Sequence, residues 1–153
     1  ISMPSASIKK EILCSKENLI KVVLDIENYP KFVPWCVGSK IHKKTVTLDK
    51  IEIVADLTIG KSFFKETYKS SVIYKKSTDS IFVTNISGPL KYLKNNWYFE
   101  KKEQSSIVIF KVEFELKNKI LNLLINKYFD TGVKKITDAF EKRAIELFKI
   151  VQN

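Results

Sequence analysis

This chain is poor in the side chains that do chemistry. Among 153 residues it has one histidine (His42), one arginine (Arg143) and two cysteines (Cys14 and Cys36). Two cysteines make no disulfide framework and fit a reducing cytoplasm. His42 stands beside Lys43-Lys44 with no orienting carboxylate signalled, so it reads as a surface strand residue and not as a general base. Cys36 and His42, six residues apart along an extended strand, would sit roughly 20 Å from one another, too far to act as nucleophile and base. Metal-ligand spacing of the Cys-x-x-Cys or His-x-x-x-His kind is absent. So is any glycine-rich phosphate loop, since Gly88-Pro89 stands alone. Four glycines and four prolines leave little room for long linkers, and one domain over 1–153 is expected. No apolar run approaches the ~20 residues of a membrane-spanning helix. No signal-peptide pattern opens the chain; Met3 reads as the native start and Ile1-Ser2 as an added remnant.

What is plentiful is lysine. Lysine and arginine total 27 against 17 acidic residues, a net charge of +10. The lysines are dispersed, and with a single arginine available the forked contacts of base-edge reading are not expected, which excludes sequence-specific DNA binding. A solvated surface is the plain reading. Loose attraction to an anionic membrane or to ribosomal RNA is the functional one.

The densest cluster of prolines and aromatics is Tyr29-Pro30-Lys31-Phe32-Val33-Pro34-Trp35-Cys36. Each proline fixes φ and disfavours helix just before it. The segment is expected to be a stiff elbow, a lid or end-plug on a hollow core, which brings an apolar ligand to mind before a reacting polar one.

Periodicity supplies the rest. A strand runs over about 6–13, and Ser15 caps a helix carrying Leu19, Ile20, Val23 and Leu24 that stops near Asp25-Ile26. One more short turn is expected over 31–35. Strands follow over 51–59, ended by Gly60, then from Phe63-Phe64 to Tyr74, over 81–87, 96–101 and 107–116, with connections short enough for antiparallel neighbours. From Lys119 the period becomes helical: Leu121, Leu124, Ile125, Tyr128, Phe129, Val133, Ile136, Phe140, Ala144, Leu147 and Val151 form one stripe on a rod of roughly 45 Å. Gly132 inside it costs about 1 kcal/mol against alanine, which predicts a bend or a close approach there. The expected class is α+β: a curved antiparallel sheet wrapped around a long C-terminal helix, the two held apart by bulky aromatics so that an apolar cavity remains.

Five motifs in order resemble a known family: the elbow 29–36, Ala55-Asp56-Leu57-Thr58-Ile59-Gly60, Gly88-Pro89-Leu90 with Leu93 through Trp97-Tyr98-Phe99, Val112-Glu113-Phe114-Glu115-Leu116, and Ala139-Phe140-Glu141-Lys142-Arg143-Ala144. Over nearly the whole chain they are similar to the coenzyme Q-binding START-type family. That family lies within the polyketide cyclase/dehydrase-like superfamily, which also holds the bacterial ribosome-association toxin. The resemblance implies the helix-grip (START-like) fold and a non-enzymatic carrier or chaperone for a prenyl lipid, ubiquinone or a relative, supporting respiratory electron transport. It implies no cofactor beyond that ligand. The alternatives it leaves are inhibition of translation at the large ribosomal subunit and, less well supported by acid–base groups, a polyketide cyclase or dehydrase. The expected location is cytoplasmic, with peripheral contact at an anionic inner-membrane face.

Candidate residues follow. Phe32, Pro34, Trp35 and Leu90 are assigned to the mouth. Leu57, Trp97, Phe114, Phe129 and Phe140 are assigned to the wall. Tyr68, Tyr98, Asn95 or Asn96 would supply polar contacts to a head group. Asp56, on the polar side of its strand, reads as a solvated or salt-paired carboxylate.

Overall fold

The computed structural model describes residues 4–61 and 64–148. Seven strands and two α-helices follow in the order β1 (Ser5–Ile12), α1 (Lys16–Leu24), β2 (Cys36–Val46), β3 (Lys50–Lys61), β4 (Phe64–Lys75), β5 (Ser80–Ser87), β6 (Leu90–Lys101), β7 (Ser106–Leu116) and α2 (Lys119–Leu147). Short 3-10 turns cover Ile26–Lys31 and Lys76–Thr78. All strand pairings are antiparallel, in the spatial order β1-β7-β6-β5-β4-β3-β2. Register shifts in β2, β5 and β6 are bulges, which bend a strand and add to its twist. The sheet therefore curls, and α1 and α2 lie within the curl. This is the α+β helix-grip arrangement expected from the sequence.

Local chemistry explains the boundaries. Ser15 Oγ accepts the Asn18 N–H at 3.2 Å and caps α1, whose Leu19, Ile20, Val22 and Val23 are buried. The elbow departs from expectation. Its helical turn covers Ile26–Lys31 with Pro30 inside it, not residues 31–35. The C=O of Tyr29 takes both the Phe32 and Val33 N–H groups, at 3.1 and 2.8 Å, and closes the turn. The Tyr29 hydroxyl donates to the Val23 C=O, tying the elbow to α1.

Two strands run longer than their sequence pattern. β3 continues through Gly60, because the Gly60 N–H donates to the Trp35 C=O at 2.9 Å. β6 begins at Leu90 rather than near residue 96. Its first residues pair with the end of β7 (Leu90 with Leu116, Leu93 with Phe114), while the ladder with β5 starts only at Lys94. Before that the Asn85 side chain bridges the two strands, accepting the Leu93 N–H at 3.0 Å and donating to the Leu90 C=O at 3.1 Å.

α2 is capped by Asn118, which accepts from Ile120 and Leu121 N–H. Asn122 Oδ1 accepts the Leu116 N–H at 3.1 Å and fixes the helix start to the end of β7. The single expected stripe is corrected: Phe129, Val133, Phe140 and Ala144 face inward with Asn122 and Thr137, but Leu124, Tyr128 and Leu147 are exposed. Met3, Phe63 and Val151, which figured in the sequence reading, lie outside the described residues.

Gly88 has φ +124°, and a Cβ there would fall 2.8 Å from the Cα and Cβ of Tyr68. Gly88→Ala should lower the unfolding free energy by about 1–3 kcal/mol, from backbone strain plus contact. A urea midpoint equal to the parent's would refute it.

Candidate functional site

Sheet and helix do meet flush at one end. Phe140 of α2 packs edge-on against Trp97 of β6 (5.0 Å between ring centroids), Phe32 (5.2 Å) and Tyr29 (5.3 Å). Trp97 in turn meets Phe110 of β7 at 4.7 Å. The void left beside Ile12, Val23, Trp97, Phe110 and Phe140 is about 20 Å³. That is room for about one water, not for a prenyl tail. The expectation that Trp97 and Phe140 wall an open hollow is corrected here: edge-to-face aromatics fill the space they were expected to hold open.

The other end is different. On the inner face of the five central strands, burial is lost towards one common end. Ile53 of β3, Val72 of β4, Ile81 of β5, Trp97 of β6 and Phe110 of β7 are buried. Further along the same inner face, Leu57, Tyr68, Val83, Leu93 and Phe114 are only half-buried. Phe114 meets Phe129 of α2 at 5.2 Å, which places the less-covered end at the N-terminal half of the helix. The interior is thus a wedge, closed beside the C-terminal half of α2 and loosening towards its start.

One flank of the wedge is crossed by the elbow. Trp35 lies over Gly132, its ring atoms 3.7 Å from where a Cβ would stand. This is the close approach that a glycine in mid-helix predicted. Trp35 also has φ +64°, a left-handed conformation that is an outlier for a bulky residue and costs on the order of 1–3 kcal/mol. Its carbonyl is held by Gly60. Arg143 stacks over Phe32 at 5.3 Å, and its buried Nε has no hydrogen-bond partner among the described residues.

The polar candidates separate sharply. Tyr98 and Asn96 alternate with the buried Trp97 and Phe99 and face the outer surface, where with Phe82 they line a shallow hollow. They are corrected out of the interior. Asn95 faces inward, but its amide is engaged, donating to the Lys111 C=O and accepting the Trp97 indole N–H at 2.9 Å. Tyr68 remains. Its phenol is desolvated, with Cys36 and Tyr29 nearby, and burial pushes its pKa well above the usual value. Of the mouth candidates, Phe32, Pro34 and Trp35 share the elbow. Leu90 sits seven residues from Trp97 along β6, about 24 Å away at strand spacing, beside Leu116.

Sequence reasoning missed Leu93, which the period-two pattern of Asn95, Trp97 and Phe99 would have placed inside. It also missed Gly88 under Tyr68, for which no sequence signal exists. His42, for which the sequence signals no orienting carboxylate, has one: its Nε2 is 2.8 Å from Asp56 Oδ2. The pair lies on the half-exposed side of β2 and β3, away from the wedge, and Asp56 is salt-paired as its position on the strand implied.

Comparison with known proteins adds the following. The family described as "Polyketide cyclase / dehydrase and lipid transport" matches residues 17–141. A Rickettsia prowazekii protein named ribosome association toxin RatA is 34% identical over 136 residues, covering 87% of this chain and 90% of its own length. The mitochondrial coenzyme Q-binding protein COQ10 of Dictyostelium discoideum is 29% identical, over 91% of this chain and 68% of its own. The solution structure of an 18 kDa protein from Caulobacter crescentus superimposes with a TM-score of 0.77 at 30% identity, covering 95% of this chain and 98% of the other.

Two measurements check the site geometry. Cys14 and Cys36 are free and buried, and desolvation raises both thiol pKa values, so thiolate is scarcer than at a free cysteine in mildly alkaline buffer. A disulfide-exchange reagent should react slowly with the native protein and with both thiols after denaturation; rapid native reaction would contradict the burial. Gly132→Ala keeps an ordinary contact with Trp35 and should stabilise the protein by up to about 1 kcal/mol. Gly132→Leu should displace the indole, read as a red shift of Trp35 emission in a Trp97→Phe background, and unchanged emission would place Trp35 elsewhere.

Proposed function

The chain belongs to the polyketide cyclase/dehydrase and lipid transport family, and from that premise we propose that it binds a hydrophobic prenyl lipid, ubiquinone or a close relative, as a non-enzymatic carrier. The observation that carries this reading is the loss of burial along all five central strands towards the start of α2, with a strained tryptophan laid across the flank of that region. The wall is Leu57, Leu93, Phe114 and Phe129, and the cover is Trp35 over Gly132, whereas Phe32 packs in the closed Phe140 cluster and Leu90 stands apart beside Leu116. Each methylene of a tail buried there contributes about 0.8 kcal/mol, so a few isoprenoid units offset the cost of association. Tyr68 is a neutral phenol at neutral pH as any tyrosine is, and burial disfavours its phenolate further. Its O–H can therefore donate to a quinone carbonyl. The name of the Dictyostelium relative supports the same ligand.

A second reading has its own support. The Rickettsia relative is named for ribosome association, and a net charge of +10 suits loose, salt-sensitive attraction to RNA phosphates. In that case the wedge is incidental and binding follows lysine content.

Solvent extraction of protein purified from cells, followed by mass spectrometry, should return a quinone. Purified protein should also bind a short-chain ubiquinone with quenching of tryptophan emission, and Tyr68→Phe should weaken that binding by about 0.5–1.5 kcal/mol. An empty extract together with no uptake of added quinone defeats the carrier reading.

A further inference from the structure

The first three turns of α2 are apolar on both sides. Asn122, Ile125 and Phe129 face the sheet, yet Ile120 (72% exposed), Leu123 (67%), Leu124 (55%) and Tyr128 (63%) face away from it. A helix that is apolar all round normally has something on every side, and here no described residue covers its outer face. Ile86, 51% exposed, lies at the end of β5, and the adjoining Pro89 C=O accepts the Lys117 N–H at 2.9 Å. The hairpin tip and the helix start therefore form one end of the molecule.

What surrounds the apolar face decides its occupant. From Lys117 to Lys135 there are five lysines (Lys117, Lys119, Lys127, Lys134 and Lys135) against the single acid Asp130. All five lysines are exposed, and none has an ion-pair partner among the described residues. A second copy of this chain would bring five further lysines against these five, so self-association is opposed by like charge. RNA phosphates would engage the lysines and leave the leucines and isoleucine without a role. An anionic lipid surface satisfies both sets at once: apolar side chains enter the acyl boundary while lysine ammoniums stay among the head groups. No helix among the described residues is long and apolar enough to cross a membrane, and the face is suited to lying in the interface.

We propose that the outer face of the N-terminal half of α2, with Ile120, Leu123, Leu124 and Tyr128 at its centre and the five lysines around it, is a docking surface for an anionic lipid bilayer. The inference rests on the lipid-carrier reading in one respect: Gly132, where Trp35 crosses the helix, falls on the same flank as Leu121 and Tyr128. A protein seated on this face therefore holds the mouth of the wedge beside the lipid it would load from.

Flotation with quinone-free vesicles tests it separately from ligand binding. The native protein should float with phosphatidylcholine–phosphatidylglycerol vesicles and far less with phosphatidylcholine alone. Ile120→Ser/Leu123→Ser/Leu124→Ser should cut partition about tenfold or more, while Leu48→Ser, at the exposed β2–β3 turn, should not. Lys119→Glu/Lys127→Glu should remove the preference for anionic vesicles. Circular dichroism and short-chain quinone binding serve as controls that the variants fold. Vesicle binding unaffected by the triple substitution overturns the proposal. So does a native protein with no preference for anionic vesicles. A dimer in sedimentation velocity that the triple variant dissociates, without vesicle binding by the native protein, assigns the face to a second copy. Ribosomal RNA binding lost in the lysine variant, again without vesicle binding, assigns it to RNA. Failure in either of these last two ways leaves the quinone measurement standing on its own.

Discussion

The interior is organised by one residue of α2. Phe140 stands edge-on to Trp97 from the sheet and to Tyr29 and Phe32 from the elbow, so helix, sheet and connecting segment share a single contact. Such pairs contribute about 0.5–1.5 kcal/mol each beyond their buried area, and removing the ring at their centre would cost about 3–5 kcal/mol. That contact sets how deeply the helix sits. A straight rod pinned to a twisted, curling sheet at one end diverges from it at the other. The loosening of the five central strands towards the start of α2 is the geometric consequence of closing the opposite end.

The elbow is where strain and position coincide. Trp35 holds a left-handed backbone because its neighbours over-determine it: its carbonyl takes the Gly60 N–H, Cys36 begins β2, and Gly132 leaves space for the indole. Strain maintained in this way is relieved if the residue moves. A covering side chain that is costly to keep in place suits a site that must admit a bulky apolar molecule. The proline-rich character of the segment matters less for its own conformation, which includes a 3-10 turn, than for delivering Trp35 to the helix with little freedom left to lose.

Charge and apolar surface divide along the helix in a way that composition conceals. The net charge of +10 describes a dispersed property of the whole chain. Placed on α2, a share of those lysines surrounds exposed leucine and isoleucine, while Lys10 is engaged by Asp138 and Glu141 further along. The same residue type thus serves as a structural partner at one end of the helix and, among the described residues, as a cation without an ion-pair partner at the other.

Periodicity alone carried six of the seven strands, the antiparallel character of the sheet, the Ser15 cap and the long terminal helix, because each is set by local spacing and short connections. β2 was left out of that succession, since its residues beyond Ile41 are all exposed and show no alternation. The alternation of Val108, Phe110, Val112, Phe114 and Leu116 identified the inner face of β7 without error. What it did not carry was the depth at which facing residues meet. Trp97 and Phe140 were expected to hold the layers apart, and they interlock, since ring packing depends on the angle between elements and not on their sequence. The two faces of α2 were likewise merged into one stripe: apolar residues occur on both, and only the sheet's position tells inside from outside. The sequence by itself therefore determined most of the elements and their order. Tertiary structure decided where the interior closes, which tyrosine faces it and which leucines are left to solvent, because those follow from the distance between surfaces that no local pattern encodes.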